Sequence, residues 1–242
     1  MSHFDDAHDL INHSRDALGK IRAEYNKSLT ETTIKASLLI QIKNFMENLR
    51  SALDFSAHGL FDNYGSSNRT TTNIYFPYAN LGQSLDEFRR NNRIERCIPG
   101  LSSSRPDIII TLEGYQHFSI HENRWLPLFM ELNNENKHQK LTPQTRKEKK
   151  QLEISSGGAT MSIGEGASIS IGGGAKVTIG GTTIHGGQTI TANNPARISG
   201  PGTQTITIWV SFYFSSNNEP VIPLLEKSLK GTSRIVDELS KI

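Results

Sequence analysis

The amino-acid sequence predicts an α+β protein, in which an antiparallel helical bundle is interrupted by an antiparallel β region and completed by a C-terminal helix. Two observations support this class. Apolar residues recur every three or four positions over residues 4–61 and again over residues 222–239, which is the period of an amphipathic helix. Between these segments, residues 159–179 alternate small or apolar side chains with polar ones, and glycines gather around them, as in short strands joined by tight turns.

The helical part is predicted to span residues 1–142. It begins with one apolar stripe over residues 4–29 and a second stripe from Ile34 to about Phe61. Two long helices with a short connection are typical of an antiparallel helical hairpin. The segment Ile74–Tyr78 follows a polar loop, and its proline restricts it to an edge strand or a docked, extended position.

Three shorter helices are predicted next. Ser84 followed by Glu87 matches a capping box, which opens a short helix through about Ile94. Pro106 suits the first position of another helix over residues 107–118. The third is Trp125–Leu141, whose first half is apolar and whose second half is densely polar, with Pro143 marking its end.

The rest of the chain is predicted to contain a basic linker over residues 143–155, a glycine-rich β region over 156–216 and a closing helix within 217–242. The closing helix has an apolar stripe but no helical neighbour in sequence, so we expect it to return to the N-terminal bundle. The strongest strand signal is Thr203–Phe214, in which apolar and polar side chains alternate.

A repeat of eight residues marks the β region. Its units are Ala159–Ile163, Ala167–Ile171 and Ala175–Ile179, separated by glycines. We favour a meander of hairpins, since three units are too few to stand as a solenoid. The alternative is a narrow β-helix or an intertwined oligomer, because a fixed octad also suits stacked rungs.

Composition excludes several classes of protein. Cys97 is the only cysteine, so the chain can form neither an internal disulfide nor a cysteine-rich zinc site. The histidines show no spacing typical of a metal site, and we expect no metal and no cofactor. The N-terminal residues are polar and acidic, and no apolar run is long enough for a membrane span, so the sequence predicts a cytoplasmic protein without a membrane partner.

Three motifs carry a resemblance to a family of uncharacterised bacterial proteins: LRSALD at Leu49–Asp54, the pair Phe76–Pro77, and LNNENKH at Leu132–His138. That family is similar to the HEPN superfamily of small helical bundles, many of which are metal-independent RNases or partners in toxin–antitoxin and antiphage systems. The resemblance implies a HEPN-like bundle, self-association and a role in bacterial defence or as a toxin. The superfamily carries an arginine in the helix that ends with the histidine, whereas this sequence has an asparagine there.

The polar end of the Trp125 helix contains the candidate catalytic residues. RNA cleavage without a metal needs a general base, donors to the phosphate oxygens and an acid for the leaving group. His138 would serve as the acid or base, with Lys137, Asn134 and Asn133 beside it. The alternative is that this cluster is a solvated helix end or a structural polar network.

Two further groups of polar residues are candidates. Arg50 and Asp54 lie four residues apart on the second helix, and with Glu131 they are predicted to form a supporting polar core: Arg50 would pair with Glu131, and Asp54 with Lys137 or His138. A basic run after the Trp125 helix is the candidate nucleic-acid surface. It contains Lys140, Arg146, Lys147, Lys149 and Lys150.

The sequence therefore supports three functional hypotheses. The first is a HEPN-like interaction or sensing module that forms homo-oligomers and binds an RNA or protein partner. The second is a metal-independent endoribonuclease that uses His138, Lys137 and Asn134. The third makes the octad hairpins a flat platform that docks a partner or builds an oligomer.

Overall fold

A computed structural model describes residues 2–29, 34–66, 73–138, 141 and 143–242 of the chain. It is an α+β structure with antiparallel strand pairs, as the sequence predicts. The chain divides into two compact units, a helical unit of residues 1–145 and 213–242 and a β unit of residues 146–212.

The helices of the described chain, in order, are α1 His3–Ser28, α2 Ala36–Tyr64, α3 Leu85–Arg90, α4 Arg93–Cys97, α5 Leu101–Ser104, α6 Pro106–Gly114, α7 Trp125–His138 and α8 Val221–Leu239, with a 3-10 turn at His121–Arg124 before α7. The strands are β1 Gln144–Ser156, β2 Ala159–Ile163, β3 Ile169–Ile171, β4 Lys176–Ile179, β5 Thr182–His185, β6 Gln188–Ile190, β7 Ile198–Ser199 and β8 Thr203–Phe214.

The core of the helical unit lies between its long helices. α1 packs against α2, and α8 packs against α1, α2 and α7, where its apolar stripe led us to expect it. Ala7 and Ile11 of α1 meet Ala52 of α2 and Val236 of α8 in one buried cluster. Burying these faces is what holds the helices together, since helices of this kind are marginal on their own.

Asn92 divides one predicted short helix into two. The capping box is confirmed, because Ser84 accepts a hydrogen bond from the Glu87 backbone N–H and the Glu87 carboxylate accepts one from the Ser84 N–H. The helix ends earlier than predicted, at Arg90, and a second helix starts at Arg93. The reason is Asn92, whose φ of +47° is left-handed and cannot continue an α-helix.

The predicted basic linker is corrected by the structure, because residues 144–156 form β1. This strand lies between β2 and β8 in a three-stranded sheet. Leu152, Ile154 and Ser156 in its second half are buried, whereas the charged first half has no apolar alternation. Pairing with β8, which is distant in sequence, therefore makes this segment a strand.

The predicted meander of hairpins is confirmed only in part. The three octad units do not pair with one another: β2 joins the sheet of β1 and β8, β3 pairs with β6, and β4 pairs with β5. The pairs β1–β2 and β4–β5 are hairpins, as predicted, but each octad unit lies in a different small sheet. Isoleucines from these sheets share one core, formed by Leu152, Ile154, Ile163, Ile171, Ile184, Ile190, Ala192 and Ala196.

Glycines make two hairpin turns of the β unit possible. Gly157 and Gly158 between β1 and β2, and Gly180 and Gly181 between β4 and β5, all have positive φ, which a two-residue hairpin of this kind requires. The two turns also approach each other closely. A Cβ on Gly180 would lie 1.8 Å from the Ser156 carbonyl oxygen, so no side chain fits there.

Candidate functional site

The candidate site lies in the helical unit, where α2, the segment of residues 74–79, α4 and α7 meet. The Arg50 side chain on α2 is only 11% exposed. Its Nε donates to Asp54 Oδ2 at 3.1 Å, and its Nη1 donates to Met130 Sδ of α7 at 2.8 Å. The predicted pairing of Arg50 with Glu131 requires α2 and α7 to lie side by side, and this contact and their packing show that they do.

Asp54 fixes the extended segment to α2. Besides the Arg50 bond, its Oδ1 accepts a hydrogen bond from the Phe76 backbone N–H at 2.9 Å. Gln116 binds the backbone of Pro77 and Ala79 in the same segment. Its side-chain oxygen accepts a hydrogen bond from the Ala79 N–H at 2.9 Å, and its side-chain nitrogen donates one to the Pro77 carbonyl at 3.2 Å. Side chains thus form hydrogen bonds with the backbone of this segment, which joins no sheet. This is the docked, extended position that Pro77 predicts.

Tyr78, at the end of this segment, lies close to two guanidinium groups. Arg50 Cζ is 5.5 Å from the ring centroid and Arg93 Cζ is 5.3 Å from it, both within the range of a cation–π interaction. The Tyr78 hydroxyl accepts a hydrogen bond from Asn134 Nδ2 of α7 at 3.2 Å. We call these four residues, Arg50, Tyr78, Arg93 and Asn134, the arginine–tyrosine cluster.

The two arginines differ in their charge balance. The Arg50 charge is offset by Asp54. Among the ion pairs of the described residues, none joins Arg93 to a carboxylate, and the Arg93 Nε is buried without a hydrogen-bond partner there. The cluster therefore carries a net positive charge, and the guanidinium of the half-buried Arg93 suits an anionic ligand such as phosphate.

Cys97 lies one helical turn after Arg93 and is buried. Burial raises the pKa of its thiol above the ordinary value, because desolvation disfavours the thiolate. The thiol is therefore neutral near pH 7, and Cys97 contributes packing rather than a nucleophile.

The structure separates the candidate catalytic residues. Asn134 is exposed and belongs to the cluster, whereas Asn133 is completely buried and donates to the Phe129 carbonyl of its own helix at 3.1 Å. Burial excludes direct contact between Asn133 and a ligand in solvent. The side chains of Lys137 and His138 lie outside the described part of the chain.

The supporting polar core differs from the expected pairing. Arg50 and Asp54 bond to each other, while Glu131, the expected partner of Arg50, is exposed on α7. The expected pairing of Asp54 with Lys137 or His138 lies outside the described side chains. An i, i+4 pair on one helix is the simpler way to satisfy both charges.

The candidate nucleic-acid residues occupy a strand. Arg146, Lys147, Lys149 and Lys150 all lie on β1 in the β unit, and Lys140 lies outside the described residues. Arg146 forms an ion pair with Glu148, and Lys147 and Lys149 are exposed. Four of the five predicted cations are thus neighbours on one strand.

Comparison with family models, with curated proteins and with solved structures finds no match to this chain. The HEPN-like resemblance therefore stays a prediction from three sequence motifs. Within the described ranges, no helix combines the length and apolar character that a membrane crossing requires. The same ranges contain no group of three or more histidine, cysteine or acidic side chains placed to hold a metal ion.

Proposed function

We propose that this protein is an interaction or sensing module whose helical unit binds single-stranded RNA at the arginine–tyrosine cluster. The observation that carries the proposal is Arg93. Its guanidinium lies 5.3 Å from the Tyr78 ring and has no ion pair to a carboxylate in the described chain. An arginine held in place by an aromatic ring and left without a counter-charge is suited to a ligand that supplies the negative charge.

RNA has phosphates and bases that the residues of the cluster can bind. A phosphate accepts paired hydrogen bonds from a guanidinium, which favours arginine over lysine at such sites. Unpaired bases stack on arginine planes and aromatic rings, and they expose edges that an amide can recognise. Asn134 is exposed and Tyr78 is half-buried, so both lie where an extended strand can contact them.

Binding of a fluorescently labelled single-stranded RNA, followed by anisotropy, tests this proposal. We expect Arg93→Ala to weaken binding by about tenfold or more, because a charge-assisted hydrogen bond contributes about 1.5–3 kcal/mol. Arg15→Ala is the matched control, since Arg15 is an exposed arginine on α1 that bonds only to Asn12 in the described structure. Equal affinity of the wild type and Arg93→Ala, or no binding by the wild type, would overturn the proposal.

A second candidate function is the metal-independent endoribonuclease. One observation favours it: Asn134, which bonds to Tyr78, lies four residues before His138 on α7. Residues four apart share a helix face, so Arg93, which lies against the same Tyr78, is a candidate for the cation that the motif on α7 lacks. In this mechanism His138 takes the proton from the 2′-hydroxyl, the 2′-oxygen attacks the phosphorus, and water protonates the departing 5′-oxygen, while Lys137 and Arg93 neutralise the phosphate.

Incubation of the purified protein with labelled RNA in the presence of a chelator tests the enzyme. We expect cleavage that disappears in His138→Ala and persists in His121→Ala, an exposed histidine on the 3-10 turn. Both variants should keep the melting temperature of the wild type. Intact RNA at high protein concentration, or cleavage that survives His138→Ala, would exclude this mechanism while leaving RNA binding to be judged by the Arg93 variant.

A further inference from the structure

β8 has an open edge along most of its length. β1 lies on one side of it, and in the described chain no strand pairs with the other side. Other parts of the chain contact β8 near its two ends: the Gln204 side chain bonds to the backbone of Ala196, and Tyr213 forms an isolated bridge with Pro220. The segment from Thr205 to Ser211 therefore presents unpaired backbone groups.

This edge lacks the features that normally protect one. Thr203–Phe214 contains no charged residue, no proline and no glycine. Edge strands usually carry lysine, proline or a bulge that prevents pairing with another chain. Ile206 and Ile208 point to one face of the strand and are 43% and 51% exposed, and the same stripe continues to Phe212, which is buried. An unprotected apolar edge of this kind indicates that another strand covers it.

We propose that the covering strand is β8 of a second copy of this chain, paired antiparallel about a two-fold axis. Antiparallel pairing of identical strands gives both copies the same hydrogen bonds, so the contact closes as a dimer. The inference concerns the β unit alone and does not depend on RNA binding by the helical unit.

The absence of charge from β8 favours this occupant, and the basic strand beside it does not oppose it. β1 carries Arg146, Lys147, Lys149 and Lys150 against the single Glu148 in its first half. In the proposed dimer the two uncharged β8 strands meet, and the basic β1 strands lie on the outer sides. Three strand spacings, about 14 Å, then separate them, which exceeds the Debye length of about 8 Å at physiological salt. Repulsion between the copies is therefore screened.

The size of the contact sets the expected affinity. Seven paired residues on each strand give several backbone hydrogen bonds of about 1 kcal/mol each, together with contact between the isoleucine stripes. Association opposes this with several kcal/mol of lost translational and rotational freedom. We therefore expect dimerisation at micromolar rather than nanomolar concentrations.

Sedimentation equilibrium of the full chain over about 1–100 µM, the range in which a micromolar dimer forms, tests the proposal. We expect the mass to rise from one chain to two. Ile208→Lys should stay monomeric, because the two-fold axis brings the new charges close together. Val177→Lys is the matched control, since Val177 is an apolar residue of β4 with 42% exposure, and it should dimerise as the wild type does.

Three outcomes would overturn the proposal: a monomeric wild type at 100 µM, which would leave the edge to a different partner or uncovered; a dimer that persists unchanged in Ile208→Lys; and loss of the dimer in Val177→Lys as well. Hydrogen exchange of the wild type gives a measurement that needs no variant. Amides within residues 205–211 should become at least several-fold better protected as concentration rises, and equal protection at both ends of the range would contradict pairing at this edge.

Discussion

Asp54→Ala is expected to lower the free energy of unfolding of the helical unit by about 2–4 kcal/mol, because the substitution leaves two donors without an acceptor. One is the guanidinium of Arg50, whose side chain is only 11% exposed, and the other is the Phe76 N–H. A mostly buried cation without its carboxylate loses more than the ion pair itself contributes, since its desolvation is no longer compensated. Urea unfolding followed by circular dichroism at the helix band measures the loss.

Two control variants test whether the loss of stability comes from the Asp54 carboxylate. Asp9→Ala removes an exposed carboxylate from α1 and should change stability by no more than about 0.5 kcal/mol. Asp54→Asn keeps an oxygen for the Phe76 N–H but removes the charge that faces Arg50, so we expect a loss between those of the other two variants. If Asp54→Ala unfolds at the same urea concentration as Asp9→Ala, the Asp54 carboxylate does not hold the extended segment to α2.

Gly231→Ala is expected to destabilise the helical unit by about 1–3 kcal/mol, although alanine is the better helix former. Gly231 lies on α8 directly against Trp125 of α7. A Cβ at this position would lie 2.1 Å from Trp125 Cζ2, and the indole is itself buried with 5% exposure. Two packed helices would have to move apart to admit one methyl group.

Gly19→Ala provides the comparison. Gly19 is also inside a long helix, α1, but a Cβ there meets no atom within 4 Å. Alanine should therefore stabilise the protein by about 0.5–1 kcal/mol through helix propensity alone. A double variant that combines Gly231→Ala with Trp125→Phe should recover part of the loss if the indole is the obstacle. Stabilisation by Gly231→Ala comparable with that by Gly19→Ala would show that α7 and α8 do not pack closely here.

The local signals of the sequence predicted the helices well. The apolar period identified α1, α2 and α8, the start of α7 at Trp125 was correct, and the capping box of Ser84 was confirmed. Each of these features depends on residues that lie a few positions apart in the sequence. The fold of the β unit was not predictable in the same way: the strand character of Arg146–Lys150 depends on β8, some sixty residues later, and on backbone pairing rather than apolar alternation.

The candidate site likewise contains one contact that the sequence predicted and two residues that it did not. The pairing of Arg50 with Asp54 follows from their spacing on α2. Tyr78 and Arg93 were missed, because the first reaches the site through docking of an irregular segment and the second lies on a helix of only five residues. The sequence did carry one signal, four arginines at positions 89, 90, 93 and 96, but nothing local indicates which of them lies against the ring of Tyr78.

The central claim is that the arginine–tyrosine cluster contacts RNA directly. The most direct measurement is an NMR titration of the full chain with single-stranded RNA, observing the arginine side-chain Nε–Hε resonances and assigning Arg93 and Arg50 by single substitution. We predict that the Arg93 resonance shifts most as RNA is added, because the half-buried Arg93 has no ion pair in the described chain, and that the Arg50 resonance shifts less because Asp54 already binds its Nε, while Arg15 stays unchanged. RNA binding that leaves the Arg93 resonance in place would contradict the proposal.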